Sequence, residues 1–261
     1  MKIDTNKVSI QLLGQSGCIF YFPQTTIYID PYLSNSVKEL DSHDLDRNIP
    51  IPISPETIQD ADYVLITHEH IDHCDPHTLP ILSKASPQAQ FIAPKPVMHI
   101  LQSWDITNNR CILAQEDWLI LSSEIKLKAV PAAHPEIERD ADNNLRYVGY
   151  LLEYQGKHIY LAGDTSVCGE LINTLKAFQQ IDIAFLPVNE KNYFREQRGI
   201  IGNMSIREAF QLAEEVNIKQ VVPVHWDMFA ANSVTLEEIN AVYTAMNPKF
   251  KLLIKPQKIE L

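Results

Sequence analysis

The segment His68-Glu69-His70-Ile71-Asp72-His73 constrains this chain more than any other feature of its sequence. It follows directly on the apolar run 63–67, which is typical of a buried strand. Imidazole and carboxylate groups have little use in a hydrophobic core, but they are good ligands for divalent first-row cations. A lone histidine is more often structural. Four ligand-type side chains in one short motif instead favour a metal site.

Three later side chains occupy the same context, because His134, Asp164 and His225 each follow an apolar, strand-like run within a few residues. Strand ends are rigid, and the loops beyond them can converge on one cleft. Gly163, directly before Asp164, fits a tight turn that needs free backbone angles. We therefore expect these side chains to join the first motif in a common site.

Strand-like runs alternate with helical patterns in both halves of the chain, which implies a layered α/β architecture. Ser205 and Glu208 have capping-box spacing at the start of one helix, and Thr235 begins another. The 261 residues suit one domain spanning 1–261. The polar, proline-rich segment Ser34–Pro55 predicts a long loop that could act as a lid.

Composition limits the partners. The net charge is −11, and no Lys/Arg cluster exceeds a pair of neighbours, which disfavours nucleic acid. No apolar run approaches the ~18 residues of a membrane span, so we expect no membrane partner. The start lacks an apolar signal segment and the four cysteines form no CxxC pair, which favours a cytoplasmic protein. A small anionic substrate fits, because bound cations would reverse the local potential. A homo-oligomer is possible.

The pattern HxHxDH, a distal His, Gly-Asp-Thr after a strand and a final His resembles the metallo-β-lactamase superfamily, and it covers nearly the whole chain. The resemblance implies a single-domain, four-layer αββα sandwich with two divalent metal ions, zinc or manganese. It assigns the first ion to His68, His70 and His134, the second to Asp72, His73 and His225, and a bridging role to Asp164.

Two cations that share a water would lower its pKa and polarise a substrate oxygen. Asp72, beside the metals, could also orient the attacking water or carry its proton, so it is the candidate catalytic residue. This chemistry suits hydrolysis of an ester, lactone, thioester, amide or phosphodiester, and the metals alone do not choose among them.

The C-terminal third resembles one branch of the superfamily, the L-ascorbate-6-phosphate lactonase (UlaG-like) branch. The resemblance rests on Pro187-Val188-Asn189, Arg195, Gly202-Asn203-Met204 and Pro223–Phe229. It implies opening of a small phosphorylated lactone, or cleavage of a related ester. Asn189, Arg195 and Asn203 are the candidate substrate contacts. This chain has Asn189-Glu190-Lys191 where the branch commonly reads Asn-Gly-Arg. A phosphodiesterase of the same fold, acting on a phospholipid or nucleotide-type substrate, stays open as the alternative.

Overall fold

The computed structural model describes residues 7–260. The chain divides into two compact units. Unit 1 comprises Met1–Leu113 and Lys255–Leu261, and unit 2 comprises Ala114–Ile254. Each unit holds one seven-stranded sheet, flanked along the chain by helices. The layered α/β class predicted from the sequence is therefore observed, whereas the extent of one domain over 1–261 stays a prediction.

Strands and helices alternate along most of the chain. The strands are β1 (Lys7–Gly14), β2 (Gly17–Phe22), β3 (Thr25–Ile29), β4 (Tyr63–Leu65), β5 (Gln90–Ala93), β6 (Cys111–Leu113), β7 (Leu119–Ile120), β8 (Ile125–Pro131), β9 (Val148–Tyr154), β10 (Lys157–Leu161), β11 (Ile183–Pro187), β12 (Gln220–Val224), β13 (Lys251–Leu252) and β14 (Lys258–Glu260). The helices are α1 (Ser36–Leu40), α2 (Leu79–Ala85), α3 (Lys95–Ser103), α4 (Gly169–Lys176), α5 (Tyr193–Glu196), α6 (Ile206–Glu215) and α7 (Leu236–Met246).

The sheet of unit 1 has the order β14-β1-β2-β3-β4-β5-β6. Strands β1 to β3 pair antiparallel, while β3 to β6 pair parallel. The carboxyl ends of parallel strands meet at one edge of a sheet. Asp30, after β3, and His68, after β4, therefore lie at the same edge of this sheet.

The sheet of unit 2 has the order β13-β12-β11-β10-β9-β8-β7. Strands β10, β11 and β12 pair parallel. Strand β8 runs in the same direction as β10, because each is antiparallel to β9. The carboxyl ends of β8, β10 and β12 therefore lie at one edge of this sheet. His134, Asp164 and His225 follow these three strand ends. The topology explains why side chains far apart in sequence share one end of this sheet.

Helices α6 and α7 of unit 2 begin where the sequence predicts. Ser205 and Glu208 form a reciprocal capping box at the start of α6, and Thr235 and Glu238 form another at α7. Each box satisfies two backbone N–H groups that have no partner inside the helix. The apolar face of α6, which includes Phe210, is buried in the core of unit 2.

The segment predicted as a long loop is partly ordered by its own contacts. Helix α1 lies within it, so the prediction of a loop is wrong for Ser36–Leu40. The Arg47 guanidinium donates hydrogen bonds to the carbonyl groups of Tyr32 and Ser34 and lies 4.8 Å from the Tyr32 ring centroid. A role as a lid stays a prediction.

Within residues 7–260, no helix combines the length and the apolar character needed to cross a bilayer.

Gly149 on β9 is required by close packing. A Cβ atom there would lie 2.8 Å from the carbonyl oxygens of both Leu161 and Ala162. Main-chain atoms cannot yield easily, so Gly149→Ala should lower the free energy of unfolding by about 1–3 kcal/mol. Gly169→Ala is the control, because a Cβ atom at Gly169 meets nothing within 4 Å. Urea unfolding of both variants tests this, and equal stability of the two would contradict it.

Candidate metal centre

In unit 1, the histidine motif follows β4 after two residues. His68 and His73 are buried, whereas His70 and Asp72 are partly exposed. The His68 Nε2 and His70 Nδ1 atoms lie 3.0 Å apart. Two nitrogen ligands bonded to one zinc ion at 2.0–2.1 Å stand roughly 3.0–3.4 Å apart. The pair therefore has the spacing that a shared cation requires.

The second half of the motif is held by a carboxylate that the sequence analysis missed. Asp30 is fully buried, and its Oδ2 lies 2.8 Å from His73 Nδ1. The same carboxylate accepts hydrogen bonds from the backbone N–H and the hydroxyl group of Thr67, at 2.8 and 2.7 Å. A carboxylate on one ring nitrogen fixes the tautomer and leaves the other nitrogen to bind a metal. His73 is thus oriented with Nε2 as its ligand atom, and Nε2 lies 3.6 Å from Asp72 Oδ2.

Thr67 and Gln15 complete this arrangement. Thr67 Oγ1 lies 2.9 Å from His68 Nδ1, so it orients that ring in the way that Asp30 orients His73. The Gln15 amide donates a 2.6 Å hydrogen bond to Asp72 Oδ2. Asp30 could be identified as a candidate site residue from the sequence, because it directly follows the strand-like run 26–29. Nothing in the sequence distinguishes Thr67 and Gln15 from other polar residues.

In unit 2, His134, Asp164 and His225 converge. Asp164 Oδ2 lies 3.2 Å from His225 Nε2 and 3.9 Å from His134 Nε2. All three side chains are buried. One carboxylate oxygen therefore faces a ring nitrogen from each of two histidines. A carboxylate that bridges two cations, each bound to one of those histidines, would have this arrangement.

The backbone around these residues takes unusual angles. Gly163 has φ 61° and His225 has φ 59°, both in the left-handed region. The value at Gly163 agrees with the predicted tight turn, and that at His225 costs free energy that the surrounding structure must offset. Thr165 Oγ1 accepts a 2.9 Å hydrogen bond from the Ala133 N–H, which ties the segment carrying Asp164 to the segment carrying His134.

The donor set fits a divalent cation. Each of the predicted ligands belongs to a group of at least three histidine or carboxylate side chains that could hold a metal ion: His68, His70, Asp72, His73, His134, Asp164 and His225. Imidazole and carboxylate together suit zinc and other first-row ions, including manganese. Buried carboxylates and imidazoles are also costly unless they pair or bind metal. The number and identity of the ions stay predictions.

The predicted substrate contacts have structural partners. The Arg195 guanidinium donates to the main-chain carbonyl groups of Asn189, Glu190 and Ser233. Asn203 Nδ2 donates to Asn189 Oδ1 at 2.9 Å, and both asparagine side chains are buried. These contacts favour a structural role, in which Arg195 shapes the segment after β11. The substrate role of the three residues stays a prediction.

Comparison with known proteins defines the family. A family model described as "Beta-lactamase superfamily domain" matches residues 25–226. The "Probable L-ascorbate-6-phosphate lactonase UlaG" of Salmonella paratyphi B is 25% identical over 223 residues, which are 80% of this chain and 61% of the lactonase. The chain therefore spans less than two thirds of the length of that relative.

Solved structures agree on the fold. A structure described as a possible metal-dependent hydrolase of Veillonella parvula has a TM-score of 0.73 at 15% identity, covering 98% of this chain and 99% of the other. An isothiocyanate hydrolase from Delia radicum gut bacteria has a TM-score of 0.72 at 16% identity, covering 98% of each chain. At such identity the likeness concerns the fold alone.

The chain belongs to the β-lactamase superfamily, and its fold is that of the metallo-β-lactamases. The predicted family and fold class are confirmed. The match to UlaG supports the UlaG-like branch, and the family match supports a metal-dependent hydrolase.

Proposed function

We propose that this chain binds two divalent cations, zinc or manganese, and hydrolyses a small anionic lactone or a related ester. The observation that carries the proposal is the position of Asp164 Oδ2, which faces Nε2 of both His134 and His225. A carboxylate between two histidines is suited to bridging two cations. In this proposal His68, His70 and His134 hold one ion, and Asp72, His73 and His225 hold the other.

The cations would supply Lewis acidity and a water activated at neutral pH. The protein's own groups hold the reacting parts in place. Asp30 keeps His73 in one tautomer, Thr67 does the same for His68, and Gln15 holds the Asp72 carboxylate. Asp72 is partly exposed, so it can accept the proton of the attacking water and release it to solvent.

The substrate class rests on the UlaG match and on charge. The net charge of −11 disfavours a polyanionic partner such as nucleic acid, whereas a cation pair would attract one small anion. The proposal does not depend on Arg195, whose guanidinium donates to three main-chain carbonyl groups.

A panel of substrates tests the proposal. Protein loaded with manganese or zinc is assayed on sugar lactones with and without a phosphate group, and on bis(p-nitrophenyl) phosphate. We expect kcat/KM to be highest on a lactone. Higher kcat/KM on the phosphodiester would overturn the substrate class in favour of the phosphodiesterase alternative. No turnover of any ester by fully metal-loaded protein would overturn the proposed activity.

Shortening Gln15 tests the support of Asp72. Gln15→Asn keeps an amide and tolerates the positive φ of 54° at this position, but its amide falls short of Asp72 Oδ2. We expect kcat/KM to fall about 10–100-fold, as is usual when a residue behind a metal ligand is changed. Gln11→Asn, on the strand β1 that precedes Gln15, is the control and should leave the rate unchanged. Equal rates for the two variants would remove Gln15 from this role.

A further inference from the structure

Asn189 follows the strand that lies between the strands leading to two predicted metal ligands. In the sheet of unit 2, β11 pairs with β10 on one side and with β12 on the other, and all three strands are parallel. Asp164 follows β10, Asn189 follows β11 and His225 follows β12. The Asn189 side chain is fully buried. It is therefore placed to act on the segments that carry both ligands.

The Asn189 amide joins two other asparagine side chains. Its Oδ1 accepts a hydrogen bond from Asn203 Nδ2 at 2.9 Å, and its Nδ2 donates one to Asn232 Oδ1 at 3.0 Å. An amide has one acceptor end and one donor end, and Asn189 uses both. Asn203 precedes α6, whereas Asn232 lies on the segment between β12 and α7. These three side chains, here called the amide chain, connect three separate segments of unit 2.

One end of the amide chain is tied to the segment carrying Asp164. The Met204 N–H, directly after Asn203, donates to the Thr165 carbonyl group at 3.2 Å, and Thr165 directly follows Asp164. Asn203 Oδ1 is buried and has no hydrogen-bond partner within residues 7–260. A buried acceptor without a donor lowers stability, and such exceptions are expected at functional sites. The Asn203 amide therefore does not serve stability alone.

The other end is tied to the segment carrying His225. Asn232 belongs to this same segment. The Val188 N–H, directly before Asn189, donates to the Val224 carbonyl group at 3.1 Å, and Val224 directly precedes His225. His225 has a φ of 59°, an angle that persists only when surrounding contacts hold it. The amide chain supplies contacts of this kind on both sides of His225.

We propose that the amide chain fixes the spacing of Asp164 and His225, whose Oδ2 and Nε2 atoms lie 3.2 Å apart, before a cation binds. This inference rests on the proposed function, because it takes both residues as metal ligands. A ligand already held in its binding position loses less conformational freedom on binding, so the cation is bound more tightly. Asn189 is thus a positioning residue that acts through Asp164 and His225.

Zinc affinity tests the proposal. Asn189→Ala removes both side-chain hydrogen bonds. Zinc-free protein is titrated with zinc in competition with a chromophoric chelator. We expect the affinity to fall at least about tenfold, as is usual when a residue behind a metal ligand is changed. Equal affinities of the wild-type protein and Asn189→Ala would overturn the inference. Wild-type protein that binds no zinc would instead overturn the proposed function, and this inference with it.

Asp182→Asn is the matched control for Asn189→Ala. Asp182 is buried like Asn189, but it directly precedes β11 and so lies at the opposite end of that strand. Its partners are the Lys157 amino group and the His158 N–H. Its replacement should lower stability and leave zinc affinity unchanged. An equal fall in zinc affinity in the two variants would reduce the role of Asn189 to general stability.

Asn232→Ala keeps the proposal testable if Asn189→Ala does not fold. It removes one hydrogen bond from a partly exposed side chain. Zinc affinity should fall by less than in Asn189→Ala, and residues 225–232 of the zinc-free protein should exchange amide hydrogen faster than in the wild type. Ser233→Ala is the control, because it removes a side-chain hydrogen bond to Ala230 outside the amide chain. Zinc affinity and exchange equal to those of Ser233→Ala would overturn the proposal.

Discussion

Replacing Asp164 with asparagine is expected to reduce hydrolysis by more than about 100-fold, beyond the usual effect of a residue that only supports a metal ligand. Asparagine has nearly the same size but carries no charge. In the native protein, Asp164 Oδ2 lies 3.2 Å from His225 Nε2 and 3.9 Å from His134 Nε2. The substitution removes the negative charge from this position. If the Asp164 carboxylate balances the charge of two cations, both cations should be bound less tightly by Asp164→Asn. Metal content by elemental analysis and kcat/KM are the two measurements.

Asp182→Asn is the matched control for this variant. Asp182 lies in the same unit and is 4% exposed, as is Asp164, but its partners are the amino groups of Lys157 and Lys219 and the His158 N–H. Its loss should lower stability without lowering metal content. Full metal content and full rate in Asp164→Asn would show that the bridging assignment is wrong.

Replacing Asp30 with asparagine should weaken both the fold of unit 1 and its metal affinity. The Asp30 carboxylate accepts from the Thr67 N–H and hydroxyl groups and contacts His73 Nδ1. An amide NH2 in place of one oxygen faces donors, which should cost about 3 kcal/mol or more of unfolding free energy. Metal affinity should fall about 10–100-fold, because the His73 ring loses the partner that orients it. Asparagine tolerates the φ of 41° at this position, so the substitution adds no backbone strain.

Asp75→Asn separates the two effects. Asp75 is also fully buried in unit 1, but it accepts hydrogen bonds from Leu33, Ser34 and Thr78 rather than from a ligand histidine. Urea unfolding should show a loss of stability in both variants. Competition with a metal chelator should show weaker binding only in Asp30→Asn. An equal loss of metal affinity in the two would reduce the role of Asp30 to general stability.

The strand-end positions of the ligands could be predicted because they follow from one-dimensional patterns. Residues 90–93 and 220–224 are mostly apolar and have turn or polar residues on both sides, a pattern that predicts strands, and β5 and β12 have those bounds. The run 63–67 forms a strand only as far as Leu65, since the chain then turns towards His68. The short strands β6, β7, β13 and β14 could not be predicted, because they are two or three residues long and give no periodic signal.

The supporting residues could not be predicted in the same way. Thr67 and Gln15 are single polar residues whose roles depend on which side chain the fold brings to them. The structural contacts of Arg195 could not be predicted either. A guanidinium group bonds main-chain carbonyl groups as readily as an anion, and spacing along the chain does not distinguish the two.

The metal content of the intact protein tests the central claim most directly. Protein purified without chelator, and protein reconstituted with manganese or zinc, would be analysed for metal per chain by elemental analysis. The residues described predict a value approaching two. A reproducible value near zero under both treatments would contradict the assignment of this chain as a metal-dependent hydrolase.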